Sequence, residues 1–329
     1  MDSRRMIAVI VLVPVLVSLA LWAFAWPAAR TAPHDLPLGV AGPPTAVAQV
    51  EQRLTQREGA FEIHRYADED AARDAVEERT VYGAVIAGDR GPKLLTASAA
   101  GPAVAQLLQQ AVTGQASASG TPVQVVDVVP APEADPRGAA FGASVLPLAL
   151  AGIATGTVTT LLGLRGARAV AALVGAAGLT GLVAAAIAHS WLGVVTGDWW
   201  AVAGVFGLST LAVGAGIAGL GALLGRAGLG LGGAVMMLLG NPFSGASSAP
   251  EMLPQPAGAI GQWLPSGAGA SLLRSVSFFD GAAAAGPALT LTWWAVLGLG
   301  AVLLGGALRQ RARGDSPAPD RAPAPAAAA

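Results

Sequence analysis

The chain holds few side chains able to do covalent or acid–base chemistry, and their spacing brings none of them together as a catalytic set. Cysteine is absent, which removes thiolate nucleophiles, disulfides and cysteine metal sites. The lone lysine, Lys93, follows Pro92, whereas a P-loop lysine must leave a glycine-rich loop to reach phosphates. His34, His64 and His189 are too scattered to suggest a metal site, and neither H-E-x-x-H nor G-x-S-x-G occurs. His64 reads as a structural or surface residue on a strand, and His189 as an interface residue beside Trp191, Trp199 and Trp200 in an aromatic belt. The run Asp68-Glu69-Asp70 has two readings, a cation site or the capping and solvation of a helix start. No enzyme and no cofactor or metal site is expected from this inventory. Two charges remain. Glu251 and Arg274 are the only ones between Arg226 and Asp280, and an ion pair between them is the expectation.

Both lie in the stretch that punctuates the chain, residues 240–279. An apolar run ends at Leu239, and Asn241-Pro242 then removes a backbone donor while Gly245 loosens the chain. Pro250, Pro254 and Pro256 follow, with Glu251 among them. Leu272, Leu273, Val276 and Phe279 then recur at helical spacing around Arg274 and Ser275, as in a short amphipathic helix lying flat or re-entrant at one membrane face. Two readings stand: an ordinary Pro/Gly-rich loop, or a defined re-entrant gate, since non-helical backbone at membrane depth must be shielded. In the second, Asn241, Pro242, Gly245, Glu251 and Arg274 are the candidate gate or helix-break residues.

The elements around this stretch are those of an integral membrane protein. Of 329 residues 53% are hydrophobic and 12% charged, with a net charge of −1, which places the chain in the membrane class. Richness in Ala, Gly and Arg suggests a GC-rich bacterial coding sequence, and no nucleic-acid partner is expected. Residues 6–29, about 24 without a charge, suffice to cross a hydrocarbon core of about 30 Å. They read as a first membrane helix. A signal peptide cleaved after Ala25 is the competing reading, because 23–25 is small-x-small, but the apolar run is longer than an h-region. Further apolar runs occupy 141–164, 169–190, 199–225, 227–240 and 287–308, giving six transmembrane helices. Arg4, Arg5, Arg165, Arg168, Arg226, Arg309, Arg311 and Arg313 fall on one side of such a bundle, while the loop 189–198 has no positive charge. By the positive-inside rule both termini are cytoplasmic, in a plasma-membrane protein. The apolar runs contain no charge, which disfavours an ion pump or proton-driven antiporter. Gly152-x-x-x-Gly156 and Gly221-x-x-x-Gly225 are packing sites, or a dimer seam.

Residues 30–138 differ in kind. They hold most of the acidic residues and alternate strand and helix patterns in the order βαβαββαβ, with a turn at 88–91 between the paired strands. This is enough for one small extracytoplasmic α/β domain inserted between membrane helices 1 and 2. The fold class is therefore mainly α and integral to the membrane: helix 1 at 1–29, the α/β domain at 30–138, five helices at 139–308 and a disordered cytoplasmic tail at 309–329.

The sequences LPLGVAG (36–42), VYGAVIAG (81–88) and especially NPFSGASSAPEMLPQPAGAIGQWLPSGAGASLLRS (241–275), set in that order of helices, resemble the membrane subunit of type-2 ABC exporters, in the branch of phage-infection-protein-like membrane proteins. The resemblance implies a permease half that works as a homodimer, or as a heterodimer with a related permease, while a separate cytoplasmic subunit hydrolyses ATP. Residues 1–5 and the link 163–168 are shorter than the coupling segments common in such permeases. The expected function is export of a lipid-like or hydrophobic substrate. The alternative is a membrane-anchored interaction protein whose external domain binds envelope components or a partner protein.

Overall fold

The computed structural model describes residues 3–88, 91–119 and 123–314. A long helix, α1 (Ser3–Ala29), opens the chain. Its outward side chains are large and apolar, Ile10 being 61% exposed and Leu21 62%, as suits a helix whose solvent is lipid. After it come β1 (Leu36–Ala41), α2 (Pro44–Thr55), β2 (Phe61–Tyr66), α3 (Glu69–Glu77), β3 (Gly83–Ile86), β4 (Lys93–Thr96), α4 (Pro102–Ser119) and β5 (Gln124–Asp127). The strands form one sheet in the order β2-β1-β3-β4-β5. All neighbours are parallel except β3 and β4, which pair antiparallel from Gly83 opposite Thr96 to Ile86 opposite Lys93. The two central residues of the turn expected at 88–91 lie outside the described residues.

Alternation along the strands explains why both faces of the sheet are covered. Leu36, Leu38, Val85 and Leu94 face one way and pack with Val104 and Leu108 of α4, while Ala41, Ala84 and Leu95 face the other and pack on Ala72, Ala75 and Val76 of α3. Helix α3 starts where Asp68 accepts a hydrogen bond from the Ala71 amide at 2.9 Å. Glu69 accepts one from Lys93 Nζ at 2.5 Å. The acidic run therefore caps a helix and ties it to β4.

The second half comprises α5 (Ala139–Leu161), α6 (Gly166–Ala185), α7 (Trp199–Leu224), α8 (Arg226–Val235), α9 (Ala257–Trp263), α10 (Pro265–Phe278) and α11 (Ala285–Gly314), with α6 and α8 each running on into a π turn, Ala186–Trp191 and Met236–Gly240. Among the described residues five helices are long and apolar enough to cross a membrane, in α1, α5, α6, α7 and α11. The sixth expected crossing is shorter: Arg226–Gly240 holds ten α-helical residues and a five-residue π turn, about 22 Å at 1.5 Å per residue. Helix α11 also continues past the boundary expected at 308, to Gly314. The rest of the tail expected to be disordered, 315–329, lies outside the described residues.

Helix α7 is the axis of the bundle. Its most apolar window is 72% buried, against 11% for α1, because α5, α6 and α11 close around it. Gly152 and Gly156 account for the approach of α5: a Cβ on Gly152 would stand 2.6 Å from Val213 Cβ, and one on Gly156 2.4 Å from the Gly214 carbonyl oxygen. This pair packs inside the chain and so is not free to form a dimer seam.

Candidate functional site

Within the stretch 240–279, α10 is not a half-exposed amphipathic helix. Helix α10 is buried on every side, with Arg274 3% exposed and Ser275 0%. Its Gly269 faces Ser209, where a Cβ would meet the hydroxyl oxygen at 2.8 Å, about 15 Å along α7 from its start at Trp199. Its other end reaches the loop before α7, where Thr196 donates to the Ser277 carbonyl at 2.6 Å. Helices α9 and α10 thus form a hairpin that dips beside α7 and returns. Sequence reasoning expected an exposed polar face because Arg274 and the serines recur on α10. Arg274 and Ser275 instead find partners far away in the sequence, the Ala246 carbonyl and Arg79.

The tip fits only because Gly261 has no side chain, a Cβ there standing 1.7 Å from the Phe243 carbonyl oxygen. Gly245 has φ 66°, and a Cβ would sit 2.7 Å from the Pro250 nitrogen. It therefore makes a turn that only glycine enters freely. The π turn of α8 ends with the Asn241 amide donating to Met236 at 3.2 Å, and Asn241 in turn accepts from the Ser244 hydroxyl at 2.8 Å. Asn241, Pro242 and Gly245 border a cavity of about 340 Å³ beside Pro27 and Thr31 at the end of α1. Phe243 meets Trp22 and Trp26 edge-on at 6.5 and 6.3 Å.

Glu251 and Arg274 do not form the expected ion pair: among the described residues no bridge within 4.0 Å joins them. Arg274 donates to the Ala246 carbonyl at 2.9 Å and lies over the Phe141 ring, 4.8 Å from its centroid. Glu251 accepts from the Tyr82 hydroxyl at 2.7 Å. Each charge thus binds a different element, which divides the five candidate residues among three neighbouring surroundings.

The structure adds residues that sequence reasoning missed. Arg79, just past α3, donates through Nη1 to the Ser271 carbonyl at 3.0 Å and to the Ser275 hydroxyl, and it lies over the Phe279 ring. Its φ of 61° is left-handed, a conformation that a helix end normally gives to glycine. The available signal was a helix pattern ending without glycine before an apolar strand. Gln262 of α9 joins the hairpin's two arms, accepting from the Ser271 hydroxyl at 2.6 Å and donating to the Ser244 carbonyl at 3.0 Å. Burial raises the Tyr82 phenol well above its ordinary value, and the Glu251 charge and hydrogen bond add to this. Burial also lowers the Arg79 guanidinium, which stays a cation at neutral pH.

These residues surround a cavity of about 540 Å³ between the sheet, the α9–α10 hairpin and the start of α11. Among the described residues no group of three or more His, Asp or Glu side chains could hold a metal ion. The arrangement can bind and orient a polar group. An apolar bundle with such a site and a dipping hairpin has the build of a membrane-embedded permease component. A family model described as ABC-2 family transporter protein matches residues 4–308, so the chain belongs to that family. Its lipid-bilayer setting and its role as a permease-type membrane subunit, distinct from the ATPase that usually accompanies such subunits, follow from that membership. No curated protein and no solved structure matched the chain.

Proposed function

We propose that the chain is the permease subunit of an ABC-type exporter for a lipid-like or hydrophobic substrate, in the phage-infection-protein-like branch. It pairs with a second permease, identical or related, and a separate cytoplasmic ATPase drives it. The observation that carries this reading is the family match over residues 4–308 on a bundle whose helices α5 and α7 contain no ionisable side chain. These two helices offer apolar surface and close contacts, and carry none of the ionisable groups that a proton or ion path along them needs. The two ends support an orientation. Arg165 and Arg309 meet around one small cavity at the α5–α6 link, with Arg309 donating to the Ala222 carbonyl at 2.9 Å. Trp191 and Trp200, 78% and 71% exposed, stand at the other end. The arginine end is cytoplasmic and residues 30–138 are outside the plasma membrane. In this reading the hairpin and the loop 241–256 move when the ATPase cycles.

The test is purification of the tagged chain from its native membrane in mild detergent, with identification of co-purifying proteins and an ATPase assay. A stoichiometric nucleotide-binding subunit is the expected result. Its reproducible absence, with an envelope protein bound instead, would overturn the exporter reading in favour of a membrane-anchored interaction protein.

A further inference from the structure

The 540 Å³ cavity lies within the roughly 300–1,000 Å³ range of small-molecule sites. Its walls are of two kinds. The inner wall carries one cation and one anion, Arg79 and Glu251, with Gln262 between the hairpin arms. The outer wall is formed by Trp263, Pro287 and Thr290. Trp263 is 77% exposed, and Leu289 and Trp293 on the same stretch of α11 are 60% and 62% exposed, so this wall continues the apolar belt of the bundle. The cavity therefore has a charged interior and a mouth beside lipid.

The two charges attract each other through space and Arg274 acts on both, but among the described residues no bridge within 4.0 Å joins Arg79 to Glu251. Glu251 holds the Tyr82 hydroxyl on Oε2 alone. Arg79 makes its hydrogen bonds through Nη1, leaving its other nitrogens without a protein acceptor among the described residues. Arg79 also keeps a left-handed backbone, φ 61°, and strain of this sort is retained where the surroundings require that side chain. A head group with one anionic and one cationic centre offers a partner to each of the two charged residues that line the cavity.

We propose that this cavity binds the head of a zwitterionic phospholipid-type amphiphile entering from the adjoining leaflet, its phosphate on Arg79, its ammonium on Glu251 and its chains leaving past Trp263 and Thr290. This deepens the lipid-like substrate class of the exporter reading and rests on it for transport, but binding itself needs no ATPase.

The experiment is native mass spectrometry of the full chain in mild detergent with phosphatidylethanolamine or phosphatidylglycerol of identical chains. The wild type retains phosphatidylethanolamine about tenfold more tightly, the scale of one charge-assisted hydrogen bond. R79Q lowers that retention about tenfold, and E251Q removes the preference over phosphatidylglycerol. T290W narrows the mouth without touching either charge and lowers retention of both lipids, so the proposal remains testable if R79Q does not fold. Equal retention of the two lipids, or retention of phosphatidylethanolamine unchanged in E251Q and T290W, would mean annular lipid only and overturn the site. Selective retention without any co-purifying ATPase would leave the site standing and remove only the exporter reading.

Discussion

At the residue scale, Tyr82 and Glu251 stand 169 positions apart and are joined by one hydrogen bond. Removing the phenol leaves a half-buried carboxylate without that donor, a loss of about 1–3 kcal/mol. Tyr82→Phe should therefore lower unfolding stability in detergent, and Glu251→Gln should reduce the penalty in a double-mutant cycle; additive effects would show that the bond contributes nothing. Glu69 gives a pH prediction. Its carboxyl is held below the ordinary 4.5, first by the hydrogen bond from Lys93. A lowered folded-state value stabilises fully above the ordinary value and fades as pH falls through the folded one. Wild type should thus lose more stability than Glu69→Gln on acidification below about 4.5, and parallel curves would refute the linkage.

At the element scale, the hairpin depends on absent side chains. Gly261→Ala would push a Cβ into the Phe243 carbonyl, and overpacking of this kind costs about 1–3 kcal/mol or more. Gly245→Ala adds backbone strain to a close contact. Both should yield less folded protein by size-exclusion chromatography, so neither can test gating. Pro242→Ala can, because Pro242 is only half-buried: folded protein with altered transport would support a gating helix break, and unchanged transport would argue against it. The break at Asn241-Pro242 was legible from proline and glycine. The burial of α10 was not, because it depends on contacts such as Gly269 meeting Ser209 of α7.

At the scale of the whole molecule, the stretch 240–279 joins the sheet to the bundle. Ala249 and Met252 pack on one face of the sheet and Phe279 on the other. These contacts tie the stretch to both faces of the sheet. The bundle itself rests on close approach to α7, so Gly156→Leu should disperse or aggregate the protein. Gly175→Leu, with nothing within 4 Å of its Cβ position, should remain monodisperse in the same chromatography. Equal behaviour of the two variants would remove α7 as the packing axis.

Local chemistry by itself determined the apolar helices, the alternating strands and the acidic helix cap at Asp68, since each follows from residue type and period over a few turns. Arg274 stood out as an isolated charge, but its partners did not, because the Ala246 carbonyl and the Phe141 ring reach it only when α5 and the loop fold over α10. The same holds for Arg79, whose bond to the Ser271 carbonyl spans 192 positions. A charge taken out of water must find hydrogen-bonding or opposite-charge partners, and which ones it finds was decided only by how the sheet, the hairpin and α7 pack together.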